Sequence, residues 1–292
     1  MSPYLLNDEP VYRAWREQKL NTYPDRVNEL IIELNNPIKL MDTEISGLKS
    51  RTARANMVIY RCATDDDPKQ SALSIAQQLG LKQPDANVCA DEDRISAIED
   101  SGNKHSHYIP YTAKALNWHT DGYYNSKAQR IHAFLMHCVR PAKHGGENSY
   151  LDPEIVYILL RDENPEYIRV LMQEDVMTIP ANAKEKRKAQ TGPVFYVDTV
   201  GNLCMRYTAR KRSIEWKKDK QLENALACLT EILQDNPYMF SYRLSKNEGV
   251  ICNNVLHKRS AFEDGENKRL LYRGRFYNRV NHSETLQDAV NQ

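Results

Sequence analysis

The spacing of apolar positions changes near residue 97, and the expected architecture changes with it. Upstream, residues 11–19 carry helical spacing, while 26–34 fit a helix or a strand equally well. Residues 57–62 (MVIYRC) have the β-branched and aromatic content of a buried strand. Asp67-Pro68 then opens an amphipathic helix that runs to Leu79 and stops at Gly80. Downstream the pattern breaks into short strands: 130–139, 194–197, 203–207, 239–244, 249–253 and 270–280. The second and third of these flank DTVGN, a hairpin turn. Two helices interrupt the series, 152–160 with Asp-Pro at its start and 219–234 with one apolar side. Many short strands with a few helices outside predict an α+β protein with a double-stranded β-helix (jelly-roll) core and flanking helices. Nothing resembling a linker or repeat divides the chain. It is expected to be one domain over 1–292, a mixed α/β flank over 1–100 followed by the core over 101–292.

Charge narrows the function. Forty Lys and Arg against 39 Asp and Glu leave a net charge of +1, which argues against a general grip on nucleic acid or anionic membrane. The basic run 184–188 (KEKRK) is the local exception, and it reads as a solvated face. The six cysteines include no CxxC pair, no signal peptide is visible, and no apolar run approaches 18 residues, so a cytoplasmic location with reduced thiols is expected.

The candidate chemistry lies in NWHTDG. His119 and Asp121 stand two apart, and on an extended segment both side chains reach the same side. Chance alone supplies about one such His-x-acid pair in this composition, and a second, His282/Glu284, occurs in a polar tail with no supporting company. A metal site of the 2-His-1-carboxylate kind needs a third ligand. His257, after the predicted strand 249–253, is the strongest candidate, although 138 positions separate it from His119. Beyond it, KRLLYRGRFY alternates so that Arg269, Arg273 and Arg275 share one face, with Leu270, Tyr272 and Phe276 on the other. A strand face of arginines either meets solvent or meets anions.

Taken together, WHTD, the GGEN segment 145–148, a later His and an Arg twelve residues beyond it resemble the Fe(II)/2-oxoglutarate-dependent dioxygenases of the taurine dioxygenase/clavaminate synthase-like superfamily. GGENSYLD, MRYTAR and NNVLHKRSAF are also similar to the γ-butyrobetaine hydroxylase branch. The resemblance implies Fe(II) held by His119, Asp121 and His257, with 2-oxoglutarate and O2 as cosubstrates. It implies that Arg269 pairs with the far carboxylate of 2-oxoglutarate, with Asn148 standing where many members have a Thr hydroxyl. Arg273 matches the position that holds the substrate sulfonate in taurine-specific members. Hydroxylation of a small molecule with an anionic group, releasing succinate and CO2, is then the expected activity.

Tyr123, Asn117 and Arg206 are further candidates for substrate contact, and His105 and His107 for the entrance. His132 and His137 read as core histidines and His144 as a turn residue. Two other readings stay open: the same chemistry on a betaine caged by Tyr123 and Tyr124, and a jelly-roll protein that binds a ligand without turnover. Neither a nucleic acid nor a membrane partner is expected, and assembly into a homo-oligomer is left open.

Overall fold

The computed structural model describes residues 2–63, 66–85, 94–100 and 108–281. His105, His107, Cys89 and the His282/Glu284 pair lie outside the described residues. The N-terminal helix α1 (Glu9–Thr22) is capped by Asp8, whose carboxylate accepts from the Val11 N–H, and it buries Tyr12 and Lys19. The segment 26–34 divides between the two readings: a 3-10 turn over Val27–Leu30 feeds strand β1 (Ile31–Leu34). Helix α2 (Asp42–Ala55), which the apolar spacing does not announce, comes next, then β2 (Met57–Cys62) and α3 (Pro68–Gln78), capped by Asp67.

Eight further strands complete two principal sheets. They are β3 (Ile95–Ile98), β4 (Leu116–His119), β5 (Ala133–Arg140), β6 (Asn148–Leu151), β7 (Phe240–Tyr242), β8 (Glu248–Cys252), β9 (Leu256–Arg259) and β10 (Leu270–Phe276). The larger sheet has the order β1-β2-β8-β5-β10-β3, and the smaller β7-β6-β9-β4. Only β1 and β2 run parallel within them. The N-terminal flank thus supplies three strands to the same sheet as the downstream core.

Strand β5 shows why the large sheet needs apolar residues on both faces. Ala133 and Leu135 point outward, into a cluster with Leu48 of α2 and Ile75 of α3. Phe134, Met136 and Cys138 point inward, into the cluster shared with Tyr150, Trp118 and Phe240 of the smaller sheet. A strand covered on both faces reads as a continuous apolar run rather than an alternating one. His137 belongs to the outer face, where its Nδ1 lies 3.0 Å from the Tyr60 hydroxyl, so it is a core histidine as expected.

The expected hairpin is present, with Phe195 opposite Met205 and Val197 opposite Leu203. Helix α4 (Pro153–Glu163) is followed at once by α5 (Pro165–Leu171), restarted by an Asn164 cap, and α6 (Lys220–Gln234) packs on both. A second antiparallel hairpin, Met177–Ile179 with Gln190–Gly192, was not apparent from the residue pattern. No helix among the described residues is long and apolar enough to cross a membrane.

Candidate active site

The smaller sheet brings the separated histidines together. On β9, His257 pairs directly with His119 at the end of β4 on one side and with Tyr150 of β6 on the other. His257 therefore lies on a strand of its own, where the sequence places it after one; a turn through Asn254, at φ 49°, divides β8 from β9. The two imidazole centroids are 4.2 Å apart, and His119 Nε2 is 3.8 Å from Asp121 Oδ1. One ligand atom from each of His119, Asp121 and His257 falls within 4.8 Å of the others, and all three residues are buried.

Both histidines are oriented in the same way. His119 Nδ1 is 2.9 Å from the Asn117 carbonyl, and His257 Nδ1 is 3.0 Å from the Val255 carbonyl. A carbonyl only accepts, so each Nδ1 carries the proton and each Nε2 presents its lone pair to the shared point. Burial pushes the His119 imidazole down to about 3, helped by the His257 ring beside it, and burial lowers His257 as well. For Asp121, burial pushes upward, but Arg273, Arg275 and the two histidines outweigh it and hold the carboxyl well below its ordinary range. Neutral imidazoles and an ionised carboxylate are the protonation states that a metal requires. Asp121 Oδ2 is buried without a hydrogen-bond partner, a cost that a cation at the shared point would remove.

The loop after β4 is fixed by its neighbours. The Asp121 N–H donates to Asn254 Oδ1, while Asn254 Nδ2 donates to the Asp121 and Ile131 carbonyls. Gly122 adopts φ +67°, and a Cβ there would lie 2.4 Å from Ile131 Cγ1, so any side chain would displace the loop that carries Asp121. The MRYTAR segment lies alongside: Thr120 N–H donates to the Tyr207 carbonyl and Ala209 N–H to that of Trp118.

Near the candidate ligand set, four arginines are buried: Arg259, Arg269, Arg273 and Arg275 are 5%, 5%, 9% and 3% exposed. The arginine face therefore points inward. The expected alternation holds: Leu271 lies inward with the arginines and Phe276 outward, while Leu270 and Tyr272 are half-buried. Arg275 is committed to Asp85 and to the Tyr124 hydroxyl, and Arg259 donates to the carbonyls of Pro110, Thr112 and Lys114. Arg273 Nη1 is 3.7 Å from Asp121 Oδ1, and its Nε is buried without a partner. Arg269 lines a cavity with Asn148, Gly146, Cys138 and Leu271, and no carboxylate lies within ion-pair distance of its guanidinium among the described residues. A buried guanidinium left without an acid is costly, and an anionic ligand in that cavity would offset the cost.

Tyr150 lies close enough to Arg269 for the guanidinium to act on its phenol, and the residue pattern gave it no role. It shares an inward face of β6 with Asn148, and its hydroxyl is buried without a hydrogen-bond partner. The period-2 alternation from Asn148 was the available signal.

The other candidates are distributed differently. Tyr123 is buried with its ring edge-on to His119 at 6.4 Å. Asn117 is exposed, and its observed contribution is the backbone carbonyl that orients His119. Arg206, a candidate for substrate contact, is observed in a structural clamp. Its guanidinium spends four of its five N–H donors on the carbonyls of Tyr123, Met177, Gly192 and Gln190, which ties the 177–192 hairpin to the loop that carries Asp121. Replacing Arg206 with alanine is expected to cost ~2–4 kcal/mol of stability by stranding those carbonyls, measured as a lower denaturant midpoint at unchanged m. A second cluster, His132, Asp198 and Cys204, has similar spacing. Its carboxylate is already engaged by the turn, accepting from the Val200 and Asn202 N–H groups and from Asn202 Nδ2.

Fold and site together describe a two-sheet protein with buried His119, Asp121 and His257 gathered beside arginines, a residue set that could hold a metal in the 2-His-1-carboxylate manner of mononuclear non-haem oxygenases. The description "Taurine catabolism dioxygenase TauD, TfdA family" matches residues 66–275. The chain belongs to this family and is a dioxygenase. Among its relatives, a uridine-5'-phosphate dioxygenase from Streptomyces sp is 28% identical over 215 residues, covering 68% of this chain and 76% of the relative. The chain also resembles the non-heme iron oxygenase OrfP crystallised with Fe and alpha-ketoglutaric acid, at TM-score 0.60 and 15% identity over 82% of this chain and 81% of that one. A taurine dioxygenase from Burkholderia xenovorans has TM-score 0.59 and 14% identity, covering 85% of this chain and 87% of its own.

Proposed function

We propose that this protein is a single-domain, jelly-roll Fe(II)- and 2-oxoglutarate-dependent hydroxylase of a small molecule that carries an anionic group. The observation that carries the reading is the buried His119, Asp121 and His257 set lying in the same interior as Arg269, a guanidinium with no acid partner among the described residues. In this reading the three ligands hold iron(II), and the Arg269 fork, assisted by Asn148 and the free Tyr150 hydroxyl, holds the far carboxylate of 2-oxoglutarate. When bound, the metal with 2-oxoglutarate and O2 supplies oxidative decarboxylation to succinate and CO2 and the oxidation of a substrate C–H bond. The chain's own part is to orient both imidazoles, keep Asp121 ionised and exclude water from the interior.

Arg273 favours an anionic substrate, because it brings an incompletely paired positive charge beside the metal ligands. The relatives' name makes a phosphate ester the first anion to test. A trimethylammonium substrate fits less well. The tyrosine faces that would cage it already carry guanidiniums, Arg210 at 5.6 Å from the Tyr123 ring centroid and Arg187 at 5.9 Å from that of Tyr124.

The test is a panel of phosphate esters, carboxylates, sulfonates and betaines run on wild type and Arg273→Gln. An anionic compound is expected to be turned over best, and the variant to lose ~1.5–3 kcal/mol of its binding and form succinate without matching product. A betaine turned over best by wild type and equally well by the variant sinks the anionic reading.

A further inference from the structure

Two arginines at the rim of the metal site have no structural task. Arg187 lies in the basic run that reads as a solvated loop, yet it behaves differently from its neighbours: Lys184, Glu185, Lys186 and Lys188 are exposed, while Arg187 is half-buried with Nη1 shut away from solvent and lacking a hydrogen-bond partner. The turn that aims it is closed by reciprocal backbone bonds between Asn182 and Arg187, with Lys186 in the left-handed region at φ 51°. The hairpin beneath is the one that Arg206 ties to the Tyr123 carbonyl, so the arm carrying Arg187 is anchored directly to the metal loop.

Arg210 lies at the end of the MRYTAR segment, which pairs with β4. Arg210 is exposed, its guanidinium lies 5.6 Å from the Tyr123 ring centroid, and no acid lies within ion-pair distance among the described residues. The two tyrosine rings are edge-to-face at 5.1 Å, and Tyr123 is itself edge-on to His119. A guanidinium held over an aromatic face keeps its N–H donors available to an anion.

Resting on the function proposed above, we propose that Arg187 and Arg210 form a phosphate grip at the mouth of the metal site and make a small-molecule phosphate monoester the substrate class. Two forks match a dianion with three terminal oxygens better than a singly charged carboxylate or sulfonate. Arg273, deeper and beside Asp121, then faces the part of the substrate nearer the metal. The grip also explains why both tyrosine faces are capped by cations in a site that would otherwise suit a quaternary amine.

The experiment is calorimetric binding of two probe pairs, uridine 5'-phosphate with uridine and ribose 5-phosphate with ribose, to wild type, Arg187→Gln, Arg210→Gln and the double variant. Each is run on metal-free protein and on anaerobic protein loaded with Fe(II) and 2-oxoglutarate. Wild type is expected to bind at least one phosphate ester tenfold or more tightly than its dephosphorylated partner. That preference should fall at least threefold in each single variant and vanish in the double, while binding of the unphosphorylated compound is unchanged. Arg187→Lys should restore only part of it, because an ammonium keeps the charge without the fork. Equal binding of phosphorylated and dephosphorylated probes by wild type overturns the proposal, as does a preference that survives the double variant. The visible absorption of the iron and 2-oxoglutarate complex is recorded in parallel. Its absence in wild type would count against the proposed function, while the metal-free arm still decides the phosphate grip.

Discussion

Arg269→Ala is expected to weaken 2-oxoglutarate binding at least tenfold while leaving Fe(II) binding close to that of wild type. The side chain is 5% exposed, and burial lowers its pKa, as expected for a cation held away from water. Truncating one partner of a buried charged pair costs about 2–5 kcal/mol, much of it from the charge left alone. The neighbouring arginines cannot take over, since Arg275 is held by Asp85 and Tyr124 and Arg259 by three backbone carbonyls. Arg269→Lys should recover only part of the loss, because an ammonium cannot form the parallel two-point contact. The measurement is anaerobic titration of the iron-loaded protein with 2-oxoglutarate, followed in the visible. An unchanged midpoint in Arg269→Ala would remove the cosubstrate from the cavity shared by Arg269 and Asn148.

Local rules carried much of the fold. Asp67-Pro68, Asp152-Pro153 and Asp219 cap the helices they announce, and DTVGN turns the hairpin with Asp198 accepting from Asn202 and Gly201 at φ +95°. Helix α2 escaped notice because its buried stripe includes Glu44 and Thr52 beside Leu48 and Ala55. Those polar positions read as outward, yet they are satisfied inside: Glu44 accepts from the Asn35 and Met41 N–H groups and Thr52 donates to the Leu48 carbonyl. The same limit explains Arg206, whose partners are backbone carbonyls that any residue presents. It explains Arg187 as well, since charge pattern alone does not reveal which member of a basic run turns inward.

The site was legible in a different way. The spacing of His119 and Asp121 fixed two candidate ligands, and alternation put three arginines on one strand face. That His257 closes the set depends on β9 lying between β4 and β6, a pairing across 138 positions that no local spacing encodes. Whether the arginine face met water or an interior depended equally on the facing sheet. Tyr150 shows the converse, an inward position that alternation implied but residue type disguised, because an aromatic on a strand reads first as packing.

The central claim is that His119, Asp121 and His257 form one metal site, and the second large effect follows from removing a member. His257 is 5% exposed, between Phe134 at 4.6 Å and His119 at 4.2 Å between ring centroids. Two remaining ligands cannot enforce the three-point face, so His257→Ala should abolish Fe(II) binding at micromolar concentrations, and Asp121→Ala should do the same without removing an aromatic from the core. The direct measurement is anaerobic addition of Fe(II) and 2-oxoglutarate to wild type and both variants, with circular dichroism confirming the fold. The account predicts a weak visible charge-transfer band in wild type at one iron per chain and none in either variant. A band that persists unchanged in His257→Ala, or that never forms in wild type, would contradict it.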